Sequence, residues 1–106
     1  MSRGARSIQL DLNTPTFQES WFSLESSDAE RVRSAFARIR KLSWPEFYKA
    51  NGFKWEKVLC ISPPTGVDAL YTFMVADSIR GVAYRDENFM RVMYIQPDHD
   101  ATYGKK

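Results

Sequence analysis

The sequence predicts an α+β fold: an N-terminal helical hairpin packed on a small antiparallel β-sheet meander. Apolar residues recur at helical spacing as far as about Ala50, then alternate with a period of two from Phe53 onward. The strand-like runs after Phe53 are separated by short polar links, which force consecutive strands to run antiparallel. Helices gathered ahead of such a sheet cover one of its faces.

Residues 1–7 are small, polar and basic, and are expected to fray. Ile8-Gln-Leu-Asp-Leu12 alternates apolar with polar, as a half-buried edge strand does. Thr14-Pro15 reads as a helix start, with Thr14 as N-cap and Pro15 in the first helical position. Phe17, Trp21 and Leu24 then share a face. Ser27 and Glu30 fit a capping box opening a second helix, and Asp28 adds a favourable charge at its N-terminus. Its apolar stripe is Val32, Ala35, Phe36, Ile39 and Leu42. Arg31, Arg33, Arg38, Arg40 and Lys41 fall mainly outside the stripe, as a nucleic-acid face or as a solvated one. Ser43-Trp-Pro-Glu46 repeats the capping-box pattern and predicts a short helix ended by Asn51-Gly52. Trp44, Phe47 and Tyr48 fit anchors docking that turn on the core, or a base-stacking platform.

Lys54 to Ile61 predicts a strand with Trp55, Lys57, Leu59 and Ile61 on one face. Ser62-Pro-Pro-Thr-Gly66 is a loop. Leu70 to Ala76 predicts a strand placing Tyr71, Phe73 and Val75 opposite Thr72 and Met74. Ile79 to Arg85 predicts another, with Arg80, Val82 and Tyr84 opposite Ile79, Gly81 and Ala83. Asp86-Glu-Asn88 makes a tight connection to Phe89 to Ile95, an apolar run that reads as buried on both faces and stops at Pro97.

A chain of 106 residues predicts a single domain able to bury one core. Its hydrophobic fraction, 43%, excludes a disordered chain. A net charge of +2 means that affinity for nucleic acid must come from a local patch. The lone Cys60 permits no internal disulfide and is expected to be buried, which favours a reducing, cytoplasmic setting. No run is long enough to span a membrane, and no apolar stretch follows Arg3 and Arg6 to make a signal peptide.

Beyond Pro97 stand Asp98, His99, Asp100 and Tyr103. His99 is the only histidine, delivered at the tip of a strand; it is a proton-transfer candidate or simply an exposed turn residue. One His and one Cys far apart do not make a zinc site, and glycine-rich phosphate loops and nucleophile elbows are absent from the sequence. What remains is a histidine, a tyrosine and several cations: Lys54, Arg80, Arg85, His99 and Tyr103 can converge on one face of a meander. That set suits metal-free RNA cleavage. The ribose 2′-OH attacks phosphorus, a base and an acid move protons, and cations neutralise the phosphorane. Surface ion pairing of Arg80 and Arg85 with Asp77, Asp86 or Glu87 is the alternative.

From Phe17 to Tyr103 the chain resembles the RelE/ParE superfamily of bacterial type II toxin–antitoxin modules. The resemblance rests on the helical pair, Gly52-Phe-Lys-Trp-Glu56, Tyr71-Thr-Phe-Met-Val75, Ile79-Arg-Gly-Val-Ala-Tyr-Arg85, and a closing Pro97-Asp-His-Asp-Ala-Thr-Tyr103 that looks like the family's His-Asp-x-x-Tyr ending. It implies a RelE-like fold and a ribosome-dependent mRNA endoribonuclease without cofactor or metal, restrained by a cognate antitoxin. Some relatives bind DNA gyrase instead. By position, Arg80, His99 and Tyr103 become the catalytic candidates, and Lys54, Lys57 and Arg85 the RNA-binding ones. The family's Tyr-Ser-Leu-Arg-Val strand carries Met74 here in place of its arginine, a gap that Arg85 or Arg91 could fill. The edge strand near Ile8 and the helix pair are expected to receive an antitoxin segment.

Overall fold

The structure, a computed structural model, describes residues 6–76 and 78–97. In chain order the elements are β1 (Gln9–Asp11), α1 (Pro15–Phe22), α2 (Ser26–Ile39), α3 (Trp44–Lys49), β2 (Glu56–Val58), β3 (Leu70–Ala76), β4 (Ile79–Asp86) and β5 (Phe89–Pro97). The five strands form one sheet in the order β1-β5-β4-β3-β2. From β2 to β5 it is the expected antiparallel meander. β1 joins the far edge parallel to β5, with Leu10 opposite Met90, so the sheet is mixed. The helices before the sheet supply the crossover a parallel pair requires.

The helix starts follow from local chemistry. The Thr14 hydroxyl accepts from the Phe17 N–H, and Pro15 fills the first turn of α1. Ser43 and Glu46 form a complete capping box on α3. The box expected at Ser27 does not form. The Ala29 N–H already bonds the Glu25 carbonyl, so the N-cap falls two residues earlier, Ser27 lies inside the helix, and Glu25 is an N-cap without a side-chain bond.

α1 lies on β5 and α2 on β3. Their apolar faces meet the sheet through Phe17, Val32, Ala35, Phe36 and Ile39, against Phe73, Val75, Ile79, Ala83, Met90, Val92 and Ile95. Trp44 and Phe47 are buried and pack on Trp55, with Phe47 also against Phe53, so they are core anchors; Tyr48 remains half exposed. The helices cover one face only. β5 therefore buries Met90, Val92 and Ile95 toward them while Phe89, Arg91, Met93 and Tyr94 stay half buried, not buried on both faces as its apolar run suggested.

The first strand of the meander is shorter than its alternation implied. Lys54 has a φ of 52°, outside the extended region, and strand pairing ends at Val58. Leu59 and Cys60 lie past that pairing and are exposed, which overturns the expectation of a buried thiol. At the N-terminus, residues 1–5 lie outside the described residues, but Ser7 is held: its carbonyl accepts from the Asn88 side chain at 2.6 Å.

Candidate functional site

Paired residues on neighbouring strands point to the same side of a sheet. Arg80 stands opposite Met74 on β3 and Gln96 on β5, on the face that the helices leave uncovered. Lys54 precedes β2 in the left-handed conformation. The two cations line one cleft of about 90 Å³, together with Glu56, Thr72, Phe73 and Met74. Pro97, the last described residue, pairs with Ile79, the neighbour of Arg80. His99 and Tyr103 lie outside the described residues, as do Asp98 and Asp100.

Arg85 does not join this cleft. It lies five residues beyond Arg80 on a strand whose alternation is unbroken, so it points to the opposite face and sits about 16 Å further along. There its guanidinium lies 4.8 Å from the Trp44 ring centroid and donates to the Tyr48 hydroxyl and the Glu87 carbonyl. It borders a separate groove of about 540 Å³ with Trp55, Tyr71 and Tyr84. Lys57 pairs with Tyr71, whose ring stacks on Trp55, so Lys57 also belongs to the helix-bearing face. The odd spacing from Arg80 to Arg85 already carried this separation in the sequence.

Arg91 is committed elsewhere. Its guanidinium donates to Asp86 at 2.8 Å and to Asp11, tying β5 to β4 and β1. Those hydrogen bonds, Asp86 foremost, raise its pKa further above the ordinary arginine value. Neither Arg85 nor Arg91 stands where it could replace a cation at Met74. Burial, with a smaller contribution from Cys60, pushes the Tyr94 phenol up, so it stays protonated through neutrality. Among the described residues no three His, Cys, Asp or Glu side chains gather as a metal site would need.

Position 74 instead borders a second cation at the edge of β3. Met74 lines the cleft with Lys54 and Arg80, and it also lines an adjoining groove that contains Arg38 of α2. Arg38 was one of several helical arginines with no distinguishing mark in the sequence. Its seven-residue spacing from Arg31 places both on one helix face, but Arg33 and Arg40 share that spacing, so it does not single the pair out.

No protein-family model matches the chain, and no curated protein matches it. Among solved structures, a chain of the archaeal RelE–RelB complex from Pyrococcus horikoshii OT3 superposes with a TM-score of 0.60. The match covers 88% of this chain and 97% of that one, at 13% sequence identity. This chain has a RelE-like fold. In its RelE-like frame the cleft of Lys54, Met74 and Arg80 lies at the end of the sheet where β4 begins and β5 finishes. A second surface of the RelE-like fold is an apolar groove of about 580 Å³ between α1, α2 and β1, with Leu12, Trp21 and Phe36 in its wall and Arg33 and Arg40 on it. Among the described residues no helix is long and apolar enough to cross a membrane.

Proposed function

We propose that this chain is the toxin of a type II toxin–antitoxin module and acts in the cytoplasm as a metal-free, ribosome-dependent mRNA endoribonuclease. The observation that supports it best is the meeting of Lys54 and Arg80 in one cleft of a RelE-like fold, beside the strand end that leads toward His99. In this reading the 2′-OH of the substrate attacks the adjacent phosphorus and the bond to the 5′-oxygen breaks, leaving a 2′,3′-cyclic phosphate and a free 5′-hydroxyl. His99 moves the proton, Tyr103 protonates the leaving oxygen or stacks on a base, and Arg80 neutralises the phosphorane. Lys54 binds a neighbouring phosphate. Lys57 and Arg85, on the helix-bearing face, serve as outlying RNA contacts. The ribosome orients the RNA for in-line attack, which this shallow cleft does not do alone.

The apolar groove between α1, α2 and β1 is the surface offered to an antitoxin, and the similar archaeal protein was solved as a RelE–RelB complex. Met74 favours a second reading, a RelE-like protein that binds DNA gyrase or only an antitoxin, because a thioether in the cleft leaves one phosphate without a partner. Induced expression in bacteria with mapping of mRNA 5′ ends separates the two. The nuclease reading expects new in-frame 5′ ends and growth arrest, both lost in His99→Ala and Arg80→Ala. Equal toxicity of both variants ends those roles. Inhibition of supercoiling without RNA cleavage establishes the second reading.

A further inference from the structure

We propose that the surface holding Lys54 and Arg80 continues over the open edge of β3 to Arg38 and Arg31 of α2, as one track for the sugar–phosphate backbone of single-stranded RNA. This rests on the nuclease reading and extends its substrate-binding surface.

The continuity is geometric. The cleft of Lys54 and Arg80 shares Met74 with a neighbouring groove of about 210 Å³ that contains Arg38. That groove shares Arg38, Val75 and Ala76 with a third, of about 310 Å³, that contains Arg31. The path is open because β2 stops pairing with β3 at Thr72. Beyond Thr72 the outer side of β3 has no strand beside it, and the Met74 N–H is met by the Phe53 carbonyl at 2.6 Å.

The charges come from separate elements, so the track is a product of folding. Arg80 is supplied by β4, Lys54 by the turn before β2, and Arg38 and Arg31 by α2. Arg31 and Arg38, about two helical turns apart, extend the track by roughly 10 Å. Both are exposed. The Arg38 guanidinium lies 5.4 Å from the Phe53 ring centroid, which seats it over the groove floor and leaves its donor edges to solvent. Two carboxylates also lie on the path: Glu56 in the cleft, and Glu30 in the third groove, 3.6 Å from Arg33. The cations outnumber them. Grooves this shallow and open do not close around a base, so they select the evenly spaced phosphates of a polyanion over any particular sequence. Guanidinium groups suit that task because each can grip two phosphate oxygens.

The test compares labelled oligouridylates of three and roughly twelve nucleotides binding to the purified chain, followed over a range of salt concentrations. The longer strand should bind Arg31→Ala/Arg38→Ala about tenfold more weakly. Its log–log salt slope should become shallower by about 1.4, since two phosphates are no longer neutralised and each accounts for about 0.7. The short strand should bind unchanged. Arg31→Lys/Arg38→Lys should restore the slope, which a purely structural role would not do. Met74→Arg should steepen it by about 0.7. An unchanged slope in the double alanine variant overturns the track. If mRNA cleavage in cells still depends on His99 and Arg80 in that case, the nuclease reading survives and the track alone fails. Loss of co-purification with a cognate antitoxin, at unchanged RNA slope, gives the β3 edge to a protein strand and likewise overturns the track.

Discussion

Lys54 holds φ at 52°, in the left-handed region, although it carries a full side chain. Such a conformation costs about 1–2 kcal/mol relative to the extended or right-handed regions. Glycine would relieve the strain, and the sequence has Gly52 two residues earlier. The strained lysine lines the cleft with Arg80, so its charge stands where the proposed site needs a cation. Lys54→Gly is therefore expected to raise stability by roughly 0.5–1 kcal/mol, after allowing for glycine's larger unfolded-state entropy, while lowering the growth arrest that the proposed function expects. Denaturant melts and growth assays check the two halves separately. Gly81 shows the opposite constraint. A Cβ there would lie 2.5 Å from the Phe73 ring, which is itself buried. Gly81→Ala is expected to cost about 1–3 kcal/mol through displacement of that ring. Combining it with Phe73→Leu should recover part of the loss, since the two sites share one volume.

At the scale of elements, α1 acts in place of a missing strand. β1 covers β5 only from Phe89 to Arg91. Beyond that, β5 bulges at Met93, because Val82 pairs with Tyr94 while Ala83 pairs with Val92. Hydroxyls of α1 meet the exposed backbone. Thr14 and Thr16 donate to the Val92 and Met93 carbonyls at 2.8 and 2.7 Å, and Ser20 accepts from the Ile95 N–H at 3.0 Å. The edge is thus closed to other strands. Thr14 both caps α1 and ties it down, so Thr14→Val is expected to lose about 1–2 kcal/mol in chemical denaturation, more than a cap alone at an exposed helix. The Thr14-Pro15 start was legible, as were the Ser43-Glu46 box and β3, whose Leu70–Ala76 alternation matches the observed strand. The parallel pairing of β1 was not, because three residues carry too little pattern to name a partner far along the chain. The length of β2 was misread because alternation continues through Lys54, where the backbone turns, and through Leu59, which packs on nothing. The side of the sheet taken by Arg80 and by Arg85 was in the sequence as parity; the closeness of Arg38 to Met74 was not, since it depends on how α2 lies across β3.

The molecule as a whole separates its packed support from the proposed site. At one corner the N-terminal segment is locked in: Ile8 is 2% exposed, its N–H bonds the Leu42 carbonyl, Asn88 grips Ser7, and Arg91 joins Asp11 to Asp86. At the far end of the β4–β5 ladder lie Arg80, Lys54 and Pro97, with exposed cations and shallow grooves in place of packed side chains. Because β1 docks on the last strand, its pairing closes the longest loop in the fold, and Ile8, which directly precedes it, is expected to settle with it late. Ile8→Ala should therefore cost about 2–5 kcal/mol through the cavity it leaves, with most of the loss appearing as faster unfolding. Arg38→Ala, at the other end, removes an exposed side chain and should change stability by no more than about 0.5 kcal/mol. Stopped-flow unfolding and equilibrium melts on the two variants decide whether the ends are energetically separate. A slow-folding, normally unfolding Ile8→Ala would place the N-terminal strand in the folding nucleus, and the molecule would then be built outward from this corner instead of closing on it last.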